Sequence, residues 1–63
     1  MPAEINMTDG TTKFVTISTT TAVSLVESFE RHGFVDVHLE GNEFVYINPA
    51  HVASIRDVHA DTI

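Results

Sequence analysis

Tyr46, Asn48, His51 and Arg56 are the side chains in this chain best suited to recognition chemistry, and they flank an Asn48-Pro49 corner. A phenol ring can stack on a base. An asparagine amide both donates and accepts, an imidazole does either, and a guanidinium fork matches phosphate geometry. Arg31 offers a second cation. Together these residues suit a small, anionic, nucleotide-like ligand. Arg56 or Arg31 would meet phosphate, Tyr46 or Phe34 would stack on the base, and Asn48 and His51 would bond ribose or base edges. Each also has a purely structural use. Tyr46 can pack in the core, and Asn48 can bond the turn backbone. His51 can close the turn. Arg56 can be solvated or can pair with Asp57 or Asp36.

Other chemistry finds less support. His32, His38, His51 and His59 sit at no metal-ligand spacing, and the chain has no cysteine to assist them. Ser54, His51 and Asp57 supply the residue types of a hydrolytic triad, but no nucleophile elbow accompanies them. No catalytic residue, metal or cofactor is therefore expected, and the chain is read as a non-enzyme.

The net charge is −6, from nine acids against Lys13, Arg31 and Arg56. Nucleic-acid affinity rests on several cations against phosphate. Three cations in an acidic chain exclude a DNA or RNA groove, although an oligomer that brought arginines together would serve a small anion. The 63 residues permit a single domain, 1–63, and a chain of this size buries only about 60% of its unfolded surface. Without disulfides, small chains commonly gain burial by oligomerising. No signal peptide and no apolar run of membrane length is apparent, so a cytoplasmic protein with no membrane partner is expected.

The elements that must position the corner are legible from pattern. Residues 3–7 and 12–17 read as strands joined through Asp9-Gly10, a hairpin dipeptide. Ser18–Thr21 offers helix N-caps. Ala22, Leu25, Val26 and Phe29 then follow with the spacing of one helix face, so a helix is predicted at about 21–32 and packs through Leu25, Val26 and Phe29. Glu27 and Arg31 are placed to pair along it. Gly33 ends it, and Phe34 is expected to fold back over the last turn. Val35, Val37 and Leu39 alternate with polar residues in the next strand. If Gly41-Asn42 is a two-residue turn, Glu40 faces Glu43, Leu39 faces Phe44 and Val37 faces Tyr46. Val45 and Ile47 then lie on a second, wet face with Asp36 and His38. An apolar second face in so small a chain predicts a covering subunit, hence a homo-oligomer, a dimer in the simplest case. Pro49-Ala50-His51 reads as a tight turn, and residues 52–58 as the last strand. Met1-Pro2 and His59–Ile63 read as frayed ends. The predicted fold class is α+β: a small ββαβββ domain with one helix on an antiparallel sheet.

Three resemblances bear on this reading. Glu43-Phe44-Val45-Tyr46-Ile47-Asn48-Pro49-Ala50-His51-Val52-Ala53-Ser54-Ile55 resembles the strand, Asn-Pro, turn, strand core of the flagellar FlbD family. That likeness covers 13 of the 63 residues and implies a fold element, not an activity. Ser28-Phe29-Glu30-Arg31-His32, with Tyr46 and His51-Val52-Ala53-Ser54-Ile55, is similar to the two signatures of Sm-like RNA-binding proteins. The glycine that precedes the first signature is absent, and Val23 to Val26 occupy that region. In size, lack of cysteine, expected oligomerisation and polar corner, the chain looks like phage accessory proteins that sequester nucleotide immune signals between subunits. That likeness implies an anti-defence role in the host-cell cytoplasm. The reading with the most support is a non-enzymatic homo-oligomer that holds a nucleotide-like ligand at a subunit junction through Arg31, Tyr46, Asn48, His51 and Arg56. The competing reading is a protein-interaction or inhibitor module that uses an apolar sheet face.

Overall fold

The computed structural model describes residues 1–58. In chain order they form β1 (Ala3–Met7), β2 (Lys13–Val15), α1 (Ala22–His32), β3 (Val35–Leu39), β4 (Glu43–Ile47), a 3₁₀ turn (Pro49–His51) and β5 (Val52–Asp57). This is the expected α+β domain of ββαβββ order. The tail expected to fray, His59–Ile63, lies outside the described residues. Pro2 is not frayed, because its carbonyl accepts from the Val58 N–H at 2.9 Å.

The strands form two antiparallel sheets, β2-β1-β5 and β3-β4. A bridge between Thr16 and Leu39 joins them at the end of β2. On each side of it, Ile17 N–H donates to the His38 carbonyl and Glu40 N–H to the Val15 carbonyl. In the central strand β1, Ala3 and Ile5 are fully buried in the core, and Glu4, whose side chain takes the other face, is itself only 9% exposed. β5 carries a bulge, since Asn6 pairs with Ser54 but Met7 pairs with Val52, which leaves Ala53 as the extra residue. The bulge lets Val52 and Ile55, three apart, both pack against the core despite the two-residue period of a strand.

α1 begins as the hydroxyl-rich run predicts. The Thr21 hydroxyl accepts from Ser24 N–H and the Ser24 hydroxyl accepts from Thr21 N–H, a reciprocal cap. Ala22 N–H donates to Asp57 Oδ1 at 2.9 Å, which ties the helix start to β5. At the other end Gly33 takes φ 76°, a conformation costly for any side chain, and its N–H reaches the Phe29 carbonyl. Leu25 and Phe29 are buried and Ala22 packs against them. Three expectations fail here. Val26 lies 42% exposed at the edge of the stripe, and Phe34 stands outward instead of covering the last turn. Glu27 and Arg31 do not form an ion pair, since the one salt bridge among the described residues is Arg56–Glu4.

The β3–β4 hairpin overturns the predicted register. The ladder pairs Val35 with Ile47, Val37 with Val45, His38 with Phe44 and Leu39 with Glu43. Glu40 has left the ladder for β2, which makes the loop one residue longer than a Gly-Asn turn. A one-residue slip turns every side chain of β4 over. Ile47 is accordingly 2% exposed in the core and Val45 packs against it. Phe44 and Tyr46 take the outer face. The wet apolar face expected at Val45 and Ile47 does not exist, and Tyr46 is not a core residue.

Thr16 is the other joint that pattern did not reveal. It is completely buried and polar. Its hydroxyl accepts from Ala3 N–H at 2.9 Å and lies within bonding distance of the Ile17 and Thr20 carbonyls. One side chain thus supplies partners to β1 and to the segment entering α1. Buried backbone groups without partners cost about 1–3 kcal/mol each, so the hydroxyl matters more here than the β-branched shape that placed Thr16 in a strand.

Candidate functional site

The Asn48-Pro49 corner is built from its own side chains. Asn48 is extended, as a residue before proline must be. Its Oδ1 accepts from Ala50 N–H at 3.1 Å, and its carbonyl accepts from His51 N–H at 3.0 Å. This is the turn-forming use of asparagine. The His51 carbonyl then accepts from Thr8 N–H at 2.8 Å, which fixes the first hairpin loop against the corner. Between the two lies an open cleft of ≈ 610 Å³. Met7, Phe14, Val45 and Ile47 line its apolar part, Tyr46 and Phe34 its aromatic part, and Asp9, Thr12, Asn48 and His51 are among its polar groups. The volume lies within the usual range for ligand sites, about 300–1,000 Å³.

Of the five predicted site residues, the fold brings three together. Tyr46, Asn48 and His51 line this cleft. Arg56 does not. It sits opposite Glu4 in the β1–β5 ladder, and its Nη2 and Nε donate to the Glu4 carboxylate at 3.1 and 3.3 Å. The partner is neither Asp57 nor Asp36. Asn6 Nδ2 donates to the same carboxylate and to Ser54 Oγ. The guanidinium, with help from Asn6, holds the Glu4 carboxyl below the usual carboxylate range. Arg31 is also elsewhere, in a small hollow on α1 with Ser24, Glu27, Ser28 and His32. The grouping of Arg56 with His51 and Asn48 that an anion site requires is therefore not formed within one chain.

Asp9 is the lining residue that sequence reading passed over. The Asp9-Gly10 pair predicts a tight hairpin turn, but residues 8–12 form a longer loop in which only Gly10 has positive φ. Thr11 and Thr12 N–H both donate to Asp9 Oδ1 at 2.8 Å, and the Thr12 hydroxyl bonds Oδ2. The signal was available, because an aspartate followed by hydroxyl residues commonly folds its side chain back onto the amides of the loop. These bonds favour the charged form. The Thr12 hydroxyl and amide, then the Thr11 amide, bring the Asp9 carboxyl from 3.8 down to about 2.

A depressed carboxyl stabilises the fold only while it is ionised. The contribution from Asp9 is complete above pH 3.8 and is lost as the pH falls toward 2. Asp9→Asn should remove that part of the acid transition. Melting temperatures of parent and variant, compared between pH 5 and pH 2, should converge at the acid end. Parallel curves would mean that the loop bonds do not form in solution.

On the outer face of β3–β4, His38 stacks on Phe44 with ring centroids 4.3 Å apart, and His38 Nε2 lies 3.0 Å from Asn42 Oδ1. Asp36 faces Tyr46 across the ladder. Phe34, Phe44 and Tyr46 are 61, 62 and 73% exposed, so three of the five aromatic rings face solvent. Among the described residues no three histidine, aspartate or glutamate side chains converge as metal ligands would. Nor is any helix among them long and apolar enough to cross a membrane.

Fold and cleft together define a small α+β domain with an aromatic-walled cleft that a single carboxylate, Asp9, lines. Compared with protein-family models, curated proteins and solved structures, the chain matches none.

Proposed function

We propose that this chain is a non-enzymatic binding module that engages a protein partner through Phe34, Phe44, Tyr46 and the adjoining cleft. The observation that supports this is the exposure of three large aromatic rings, two of which line the cleft. Exposed apolar surface of that kind, rimmed by polar residues, marks interaction sites on small domains. Aromatic rings carry much of the affinity at protein interfaces. This is the interaction-module reading of the sequence, moved by the observed register from Val45 and Ile47 to the opposite side of β4.

A second reading keeps the nucleotide-sequestering homo-oligomer of the phage anti-defence type. It draws support from Tyr46, Asn48 and His51 lining one cleft, a ring for stacking beside groups for hydrogen bonding. A phosphate would then need an arginine from a second subunit, because no Lys or Arg of the same chain lines the site. The Sm-like RNA-binding reading meets the same lack of cations, and Ser28–His32, its first signature, lies in α1.

Titration calorimetry with nucleotides and cyclic nucleotides separates the two, alongside affinity capture with the parent and with Tyr46→Ala. The first reading expects no nucleotide to bind more tightly than about 1 mM. It also expects a protein partner held by the parent and lost by the folded variant. Micromolar nucleotide binding by particles of two or more chains, abolished in Tyr46→Ala, would instead establish the second. If the variant retains every partner and no nucleotide binds, neither reading stands.

A further inference from the structure

We infer that the occupant of the cleft beneath the Asn48-Pro49 corner is a basic segment of a partner protein, one that presents lysine or arginine beside an aliphatic or aromatic side chain. This rests on the protein-interaction reading and adds the chemistry of the partner. The apolar part of the cleft, from Met7, Phe14, Val45 and Ile47, takes the apolar side chain. The charge arrangement selects the rest. Asp9 is the one carboxylate lining the cleft, and its loop bonds keep it from swinging away. Asp36 sits opposite Tyr46 on the outer face of the β3–β4 ladder. No Lys or Arg lines the cleft, whose one basic ring is His51. Arg56 is engaged by Glu4, Arg31 lies on α1, and Lys13 lines an adjoining hollow that shares Met7 and Thr12 with the cleft.

An anion entering the cleft would meet Asp9 with no Lys or Arg in the lining to offset it. A second copy of the chain brings a net charge of −6 to a cleft that Asp9 lines, so self-association through this face is opposed. A cation gains twice. It is drawn to the carboxylates, and the exposed ring faces of Tyr46 and Phe34 attract it through their quadrupoles. The Asn48 side-chain amide nitrogen donates to no group among the described residues, so it is free to bond the backbone of a docked segment.

Tyr46 is the sole tyrosine and the chain has no tryptophan, so intrinsic fluorescence reports on the cleft alone. The probes are three short synthetic peptides with the same Phe and Leu positions, the remaining positions being Lys, Ser or Glu. Binding is read by Tyr46 emission and by anisotropy of a labelled peptide. The Lys peptide should bind about tenfold or more tightly than the Ser peptide, the Glu peptide should be weakest, and added salt should narrow the spread. Asp9→Asn keeps a carbonyl oxygen for the two loop amides. It should weaken the Lys peptide about three- to fivefold, the size of an exposed ion pair, and leave the Ser peptide unchanged. Asp36→Asn gives the same readout without touching that loop.

Equal binding of the three peptides with a Tyr46 response overturns the charge inference and leaves the aromatic docking reading in place. Lys-peptide binding that survives Tyr46→Ala undiminished is attraction to an acidic surface, and it overturns the inference as well. No response from any peptide at millimolar concentration removes both.

Discussion

Ile47→Asp is expected to unfold the protein, while Tyr46→Thr, one residue away, leaves it folded. Ile47 is among the most completely buried side chains, packed with Val37 and Ile5 in the core. The substitution forfeits about 1.5–3 kcal/mol of apolar burial. It also places a carboxylate where nothing pairs with it, at a cost of several kcal/mol more. Domains are stable by about 0.05–0.15 kcal/mol per residue, or about 3–9 kcal/mol for 63 residues. The loss is of the same size as that margin. Tyr46 faces solvent, and a β-branched replacement on an outer strand face costs about 1 kcal/mol or less. Far-ultraviolet circular dichroism and thermal melts decide the matter. The reverse ranking would restore the register with Glu40 opposite Glu43 and put Tyr46 in the core. In that register an acid at position 47 would weaken assembly and spare the fold.

Phe29→Ala should lower stability by about 3–5 kcal/mol, the usual effect of truncating a buried phenylalanine. Phe29 belongs to the buried core cluster with Leu25, Val37, Ile47, Ala3 and Ile5, so truncating it leaves a cavity in the core. Val26→Ala, on the neighbouring turn but at the solvent edge, should cost about 1 kcal/mol or less. Urea denaturation of the two variants gives both numbers. Equal losses would mean that α1 is rotated and buries Val26 as deeply as Phe29.

The candidate site was legible in part. Tyr46, Asn48 and His51 were found from the proline corner, which fixes the local backbone and so keeps nearby side chains close together. Arg56 was placed with them because it is near in sequence. It lies in β5 across from Glu4, on the outer face of the β1–β5 ladder. Asp9 and Phe14 come from the first hairpin, brought to the corner by the Thr8–His51 hydrogen bond, a contact that no local pattern announces.

Local chemistry by itself determined the elements of this protein. Hydroxyl residues before an apolar stripe and a glycine after it delimit α1. Alternation marks β1 and β3, a β-branched run marks β2, and Asn48-Pro49 separates β4 from β5. Each of these signals acts within a few residues, where backbone sterics and capping bonds decide the outcome. The tertiary structure decided which side of β4 faces inward. Phe44-Val45-Tyr46-Ile47 is apolar at every position, so alternation could not choose between the two faces. The choice fell to Glu40. Gly41 and Asn42 both take positive φ, as a two-residue turn would allow, yet the Glu40 N–H is bonded to the Val15 carbonyl of β2. That bond between the two sheets removes Glu40 from the hairpin ladder and shifts the register by one residue. Val45 and Ile47 thereby turn into the core, and Phe44 and Tyr46 are left in solvent.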